Sequence, residues 1–433
     1  MNTRLALSLF LGCLVRAPVA STGGEVPFGA PLAVPVAPHP TAMVAADLNR
    51  DGRADLVTVH SGTDTLWLVR SQPSGGFAIA GPLRAGTEPC AVQVADVNRD
   101  RRPDIVVANS ISNTVSVLLG RGDGTFEPAR DAPVGHAPHD VTVADFNGDD
   151  TPDVAVTNLI DDTVQVLLGA GDGTFTAGAT IPVAGGPDAL SSADLDRNGT
   201  ADLVVTVTLD DDALVVLTGG GDGTFAEQAR IATGLLPTRP VLADFDGDTI
   251  VDIAVAEQNA DTVAVLRGHG DGTFDAAVPI ETGAFPCALT AADLDGDGGL
   301  DLVTADSFAD TVSVLRGRGD GTFETRVALA TDSMPVGVAP ADLDRNRAAD
   351  VVTVSLFAGG LSVLLNQVAG PTPCTGDCDE RGSVSIDELV RSVNVALGSL
   401  AIADCIAADP NADASVMINE LVAAVNNALL GCH

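Results

Sequence analysis

Seven times along this chain of 433 residues, aspartate and asparagine fall at alternate positions of a nine-residue segment, D-x-[DN]-x-[DN]-x-x-x-D. The segments hold Asp47, Asn49, Asp51 and Asp55; Asp96, Asn98, Asp100 and Asp104; Asp145, Asn147, Asp149 and Asp153; Asp194, Asp196, Asn198 and Asp202; Asp244, Asp246, Asp248 and Asp252; Asp293, Asp295, Asp297 and Asp301; and Asp342, Asp344, Asn346 and Asp350. Alternate spacing lets one tight loop turn successive carboxylates inward, and a backbone carbonyl near the seventh position, with water, completes a shell. An all-oxygen donor set in a flexible loop selects Ca2+ over the smaller Mg2+ and offers nothing to a soft metal. One such loop would read as a solvated acidic turn; seven in register predict up to seven bound Ca2+.

The sixth position of such a loop calls for a residue tolerant of positive φ. Gly52, Gly199 and Gly298 meet that demand without steric cost, whereas Arg101 and Arg347 bring strain and a positive charge. The second and seventh loops are therefore expected to bind most weakly.

A second acidic repeat lies near the C-terminus. Asp377, Asp379, Ser383 and Glu388, and then Asp409, Asn411, Asp413 and Glu420, follow the spacing of EF-hand loops. Each loop leads into an apolar-periodic helix, over 389–397 and 421–430. Arg381 replaces an acidic ligand, Ala414 replaces the turn glycine and Met417 offers no oxygen, so this pair is expected to take between zero and two ions. Cys374, Cys378, Cys405 and Cys432 are grouped here, which in an exported chain predicts two disulfides with three possible pairings. The resemblance of this tail to duplicated half EF-hands, which pair antiparallel, implies that Cys432 lies near Cys374 or Cys378 and pairs with one of them.

The elements that must carry the seven acidic loops are read from their phase. Successive openers stand 49 residues apart, with a single gap of 50, which is the mark of stacked repeats. In the third unit, 141–144 and 154–157 flank the loop as short strands, 164–168 is a third strand, and Phe175 opens a fourth after the Gly171–Thr174 hairpin. Strands rich in Val and Leu on both sides suit sheets buried on both faces. The prediction is an all-β, seven-bladed β-propeller of four-stranded blades over 24–367, a linker over 368–374, and a small α-helical EF-hand-like domain over 375–433. A phenylalanine lies 19 residues before every opener, from Phe28 to Phe323, but position 372 is threonine within Pro371-Thr372-Pro373. The seventh unit thus lacks its fourth strand, and the stretch 27–36 is expected to supply it, closing the ring and removing the open edges.

Asp145-Phe-Asn-Gly-Asp-Asp-Thr-Pro-Asp153, with Leu168-Gly-Ala-Gly-Asp-Gly-Thr-Phe175, resembles the FG-GAP/VCBS repeats of integrin α chains and of many bacterial exported proteins. The resemblance covers roughly 26–367 and implies Ca2+ between the first two strands of each blade, at one rim. It leaves function open, because such propellers serve adhesion, sugar binding and, less often, catalysis. The tail resembles dockerin-like duplicated half EF-hands, which implies attachment to a partner.

A net charge of −37 argues against nucleic acid or an anionic membrane as partner. Residues 1–20, with Arg4 before an apolar run and small residues after it, read as a secretory signal peptide; a lipid anchor at Cys13 is the minor alternative. No segment is expected to span a bilayer, and the chain is expected to be secreted or held at the cell surface as a monomer. Cys90 and Cys287 occupy one repeat position in blades that are not adjacent, so they read as buried free thiols. Arg121-Gly-Asp123 and Arg318-Gly-Asp320 spell a short adhesive tripeptide, yet other units carry Ala170, Gly221 or His269 there, so the arginine is incidental.

At one channel mouth the equivalent positions read Thr41, Cys90, His139, Asp188, Thr238, Cys287 and Val336; His139 beside Asp188 is the pair that hints at acid–base chemistry. No nucleophile supports it, and no catalytic or organic-cofactor residue is assigned. The favoured reading is a non-enzymatic binding or adhesion scaffold for an extracellular protein or glycan. A lectin is the alternative, disfavoured by one Trp and no Tyr. An extracellular polysaccharide-degrading enzyme comes third.

Overall fold

Each repeat places a run of β-branched and small apolar residues directly after its acidic loop, and that run becomes a strand with no exposed face. In the third blade it is Asp153–Asn158, and in all seven blades the corresponding strand is buried from end to end. A computed structural model describes residues 28–72, 76–357 and 359–367 of the chain. These form seven antiparallel sheets of four strands, a seven-bladed β-propeller. The third blade runs Pro138–Ala144, Asp153–Asn158, Thr163–Gly169 and Phe175–Pro182 from the first strand to the last. The expected signal segment, Cys13, the expected linker and the whole expected C-terminal module, with its eight candidate ligands and four cysteines, lie outside the described residues.

The ring closes as the phase of the phenylalanines requires. Leu32–Pro35 pairs antiparallel with Gly360–Leu364, Leu32 opposite Val363 and Val34 opposite Leu361, and Phe28 bridges Asn366. The seventh blade is therefore built from both ends of the domain. The 50-residue spacing is a turn insertion: residues 208–212 connect Val207 to its partner Ala213 in the fourth blade, where 159–162 suffice in the third.

Between every pair of neighbouring blades lies a separate apolar cluster. The one joining the seventh blade to the first holds Leu56, Val69, Val352, Val354 and Leu361. The residue after each opener points into such a cluster. Phe146 is 1% exposed and meets Phe225 of the next blade edge-on at 5.6 Å, and Phe245 meets Phe323 at 5.9 Å. The in-phase phenylalanine thus packs under the neighbouring acidic loop.

A polar clamp repeats on the opposite rim. The last residue of the turn between second and third strands accepts the amide of a left-handed residue in the connector to the next blade. Asp64 accepts from Glu88 at 2.8 Å, Asn113 from Ala137 at 3.0 Å, Asp162 from Gly186 at 2.9 Å, Asp212 from Leu236 at 2.9 Å, Asp261 from Phe285 at 2.8 Å and Asp310 from Met334 at 2.7 Å. In the seventh blade Gly359 stands at this position and has no side chain to offer.

Removing residues 24–38 exposes the third strand of the seventh blade and opens its cluster with the first. The truncated chain should lose its cooperative melt and associate through the bare edge. An unchanged melting curve for a monomeric truncation would refute closure as the stabilising device.

Candidate metal centres

Every acidic loop joins the first strand of a blade to the buried second strand, and the second strand begins at the ninth-position aspartate. The loop is wound around its opener. Asp145 Oδ2 accepts from the amide of Asp150 at 2.7 Å, and its Oδ1 accepts from Gly148 at 2.8 Å. Two residues per loop must adopt positive φ. At the sixth position this includes Arg101 and Asp150 at 63°, Thr249 at 69° and Arg347 at 70°, as well as Gly52, Gly199 and Gly298. The fourth position, not anticipated from the sequence, does the same: Arg50, Arg99 and Arg197 at 61°, Arg345 at 65°, and Gly148, Gly247 and Gly296. Glycine alternating between the two columns was the available signal. A non-glycine residue there costs about 1 kcal/mol or more, an outlay typical of a functional site.

The ninth aspartate does different work from the other three. Asp153 Oδ2 accepts from Phe146 N at 3.0 Å and its Oδ1 from Gly169 N at 2.7 Å, tying the loop to the end of the third strand. Asp104, Asp202, Asp252, Asp301 and Asp350 make the same two bonds. Asp55 keeps only the bond from Ser71, at 2.9 Å, and its Oδ2 is buried without a hydrogen-bond partner.

Burial pushes these carboxyls up against the pull of their amide donors. Asp55, Asp104, Asp301 and Asp350 rise to about 6, and Asp153, Asp202 and Asp252 are raised as well.

The side chains converge as a hard-cation site would require. One oxygen each from Asp194, Asp196 and Asp202 lies within 4.8 Å of the others, as in the groups Asp244, Asp246, Asp248; Asp293, Asp295, Asp297; and Asp342, Asp344, Asp350. In the first three loops an amide takes the third position, with Asn49, Asn98 and Asn147 Oδ1 accepting from the fifth-position amide at 2.9, 3.1 and 3.0 Å. Asp342 Oδ1 is buried with no hydrogen-bond partner. An orphaned oxygen in a ring of carboxylates fits a divalent cation and is costly without one. One loop also carries an internal cation: Arg267 Nε lies 2.5 Å from Asp246 Oδ2, and its Nη2 donates to Asp248 Oδ2 at 3.0 Å.

The channel mouth holds the anticipated pair in contact, His139 Nδ1 lying 3.0 Å from Asp188 Oδ1. Burial pulls the imidazole down, but the Asp188 hydrogen bond and charge, with the charge of Asp140, carry it to about 9. Arg239, which sequence reasoning missed, reaches past the fourth blade to the third. Its Nη1 is 3.4 Å from Asp140 Oδ1 and its Nη2 donates to Val141 O at 2.8 Å. It stands where other units carry alanine, aspartate or glycine, which was the signal.

Cys90 and Cys287 are free and half-buried, their thiols pushed up by burial to about 12 and about 11. The two Arg-Gly-Asp turns fold on themselves: Thr125 and Thr322 hydroxyls donate to Asp123 and Asp320 at 2.5 Å, and Arg121 Nη1 donates to Phe126 O at 2.7 Å.

Two pH effects follow. An acid whose folded pKa is raised binds extra protons in the folded state, so stability falls as pH rises through the window between 3.8 and about 6. Chelated protein should therefore melt several degrees higher at pH 5 than at pH 7, and divalent cations should reduce that difference; a chelated melt that falls on acidification to pH 5 would contradict the burial argument. His139 works in the same direction over a higher window: its stabilisation is complete below 6.5 and lost as pH rises through about 9. His139→Gln should flatten the melting curve's decline between pH 7 and 10, and an unaltered decline would assign it to other groups.

Several solved structures share this architecture. BBS1N in complex with ARL6DN matches at a TM-score of 0.56 and 14% identity, over 80% of this chain and 99% of that one. The periplasmic gluconolactonase PpgL of Pseudomonas aeruginosa matches at 0.53 and 19%, over 68% and 86%. A catalytically inactive virginiamycin B lyase of Staphylococcus aureus, with quinupristin, matches at 0.54 and 11%, over 78% and 99%. At such identities the likeness is one of fold, shared by a binding protein and by enzymes. No curated protein matches at the sequence level. The sequence model of the FG-GAP-like repeat matches residues 47–107, 96–156, 151–205, 194–255, 244–304 and 293–353, each stretch opening at or near an acidic loop. With most of its length in these repeats, the chain belongs to the FG-GAP-like repeat family.

Proposed function

We propose that this chain is an exported, Ca2+-braced propeller that works as a non-enzymatic binding or adhesion scaffold. One observation carries the reading: a ring of exposed apolar residues at a single repeat position. Ile111, Ile160, Leu209, Phe308 and Phe357 each stand 15 residues after an opener and are 59–71% exposed. In a four-stranded antiparallel blade the loops after the first and third strands share one rim, and the turn after the second strand lies on the other. The apolar ring is therefore on the face away from the metal loops. Phe308 stacks on Phe285 of the connector at 4.5 Å, and Leu235, 57% exposed, adds to the same face. Large apolar side chains held in water at one face of a monomer mark an interaction surface.

The ring is set among carboxylates: Asp161 and Asp162 follow Ile160, and Asp210, Asp211 and Asp212 follow Leu209. That pattern suits a protein partner with apolar side chains among basic ones better than a glycan. Ca2+ is favoured by the all-oxygen loops and by the millimolar levels an exported protein meets. The dockerin-like tail would attach the propeller to a further partner. Catalysis at the channel mouth is disfavoured because its charges are paired, His139 with Asp188 and Arg239 with Asp140.

The test is a pull-down from the extracellular fraction with the full chain, with and without Ca2+, beside Phe308→Ser/Phe357→Ser. The expected result is a partner retained with Ca2+ and lost in the double variant at an unchanged melting temperature, while chelation lowers the melting temperature by roughly 5 °C or more, the equivalent of one to two kcal/mol. Equal retention by wild type and variant would remove the apolar ring as the binding surface. A melting temperature indifferent to chelation would remove Ca2+, and turnover in a lactone- or polysaccharide-cleavage assay would replace the scaffold with an enzyme.

A further inference from the structure

We infer that Arg267 is a tethered counter-cation of the fifth metal loop, neutralising Asp246 and Asp248 until Ca2+ displaces it, so that this loop, rather than the second and seventh that the sequence pointed to, is the last of the seven to fill. The inference rests on the Ca2+ reading of the loops and concerns one residue's conduct toward that ion.

The fifth and sixth loops are the two with aspartate at all four ligand positions; every other loop has one asparagine. An extra carboxylate in so small a volume raises the repulsion a cation must relieve. Both of these loops, and the first, carry arginine at the same point of the repeat, 23 residues after the opener: Arg70, Arg267 and Arg316. The three take different partners. Arg70 Nη2 donates to the backbone carbonyl of Gly124, in the second blade's hairpin. Arg316 Nε approaches Asp295 Oδ2 only to 3.9 Å.

Arg267 bridges two carboxylates of one convergent group, at 2.5 Å and 3.0 Å. The shorter contact lacks hydrogen-bond geometry, leaving Asp246 Oδ2 a buried oxygen held by charge alone. The Asp246 side chain is 4% exposed and that of Arg267 55%, so the guanidinium caps a buried carboxylate from the solvent side, where an arriving ion meets it. A monovalent group bound to two ligand oxygens must leave before a divalent ion takes both.

The structure also gives the displaced side chain somewhere to go. Arg267 lines a cavity of about 360 Å3 between the fifth and sixth blades, and Asp275 and Asp320 stand in the same wall. Asp320 belongs to the sixth blade's hairpin, whose Gly321 donates to Phe245 O at 3.0 Å directly beneath the fifth loop. An arginine leaving Asp246 and Asp248 thus has a cavity beside it whose wall holds two further carboxylates among apolar side chains such as Val278 and Phe323. The exchange lowers the loop's affinity by the worth of the broken ion pair, which for a partly exposed bidentate contact is about tenfold.

The test counts Ca2+ bound per full-length molecule by equilibrium dialysis, from micromolar to millimolar free Ca2+, in wild type, Arg267→Gln, Arg267→Lys and Arg70→Gln. The expected result is that Arg267→Gln tightens the weakest class by about tenfold and by one ion, while Arg267→Lys and Arg70→Gln leave the isotherm as in wild type. Chelated Arg267→Gln should melt below chelated wild type and recover more on adding Ca2+. An isotherm in which Arg267→Gln leaves the weakest class unchanged, or weakens it, overturns the inference while the Ca2+ reading stands. Absence of Ca2+ uptake by wild type at millimolar concentration overturns both.

Discussion

A buried carboxylate at the head of the second strand is the interaction on which the molecule turns. It accepts one amide from the acidic loop and another from the end of the third strand, and six of the seven blades keep both bonds. It therefore fixes where the loop lies on the sheet before any cation arrives. Its burial also makes it costly: a charge so placed is held by amide donors on the protein side and faces a candidate cation site on the other. Fold and metal site are in this sense one structure, and neither can be altered at that residue without the other.

The rest of the blade follows from the same point. The loop residue next to the opener is turned inward, where Phe146 and Phe245 meet the phenylalanine that follows the next blade's hairpin. Three hairpins rest on the neighbouring loop through a backbone bond, Gly223 to Phe146, Gly272 to Leu195 and Gly321 to Phe245. These metal loops are thus not independent ornaments on a rim; each is roofed by the blade beside it.

Blade count, strand order and ring closure were legible in the sequence because a fixed period exposes every element several times over, and Phe28 in phase with no blade of its own identified the closing strand. The candidate ligands were legible for the same reason. What escaped was whatever depends on contacts between segments separated in sequence. Arg239 reaching Asp140, and Arg267 lying on Asp246 and Asp248, join residues whose proximity no local pattern encodes. The fourth-position demand for positive φ escaped for a subtler reason: four arginines occupy it, and their strain becomes visible only in the backbone. The apolar ring escaped too, since single exposed residues such as Ile160 mean little until the repeat places five at one height.

A wheel made from a linear thread must have one joint that is not like the others. Six junctions are riveted on the face away from the acidic loops by an Asp or Asn side chain, but at the junction between last blade and first Gly359 leaves the rivet out. That joint depends on the sewn-in strand, its greasy seam and the Arg345 side chain, which donates to Asp51 O at 2.9 Å on the other rim. The natural place for the wheel to part is therefore where its two ends were tied, and a ligand gripping that sector would act as a buckle.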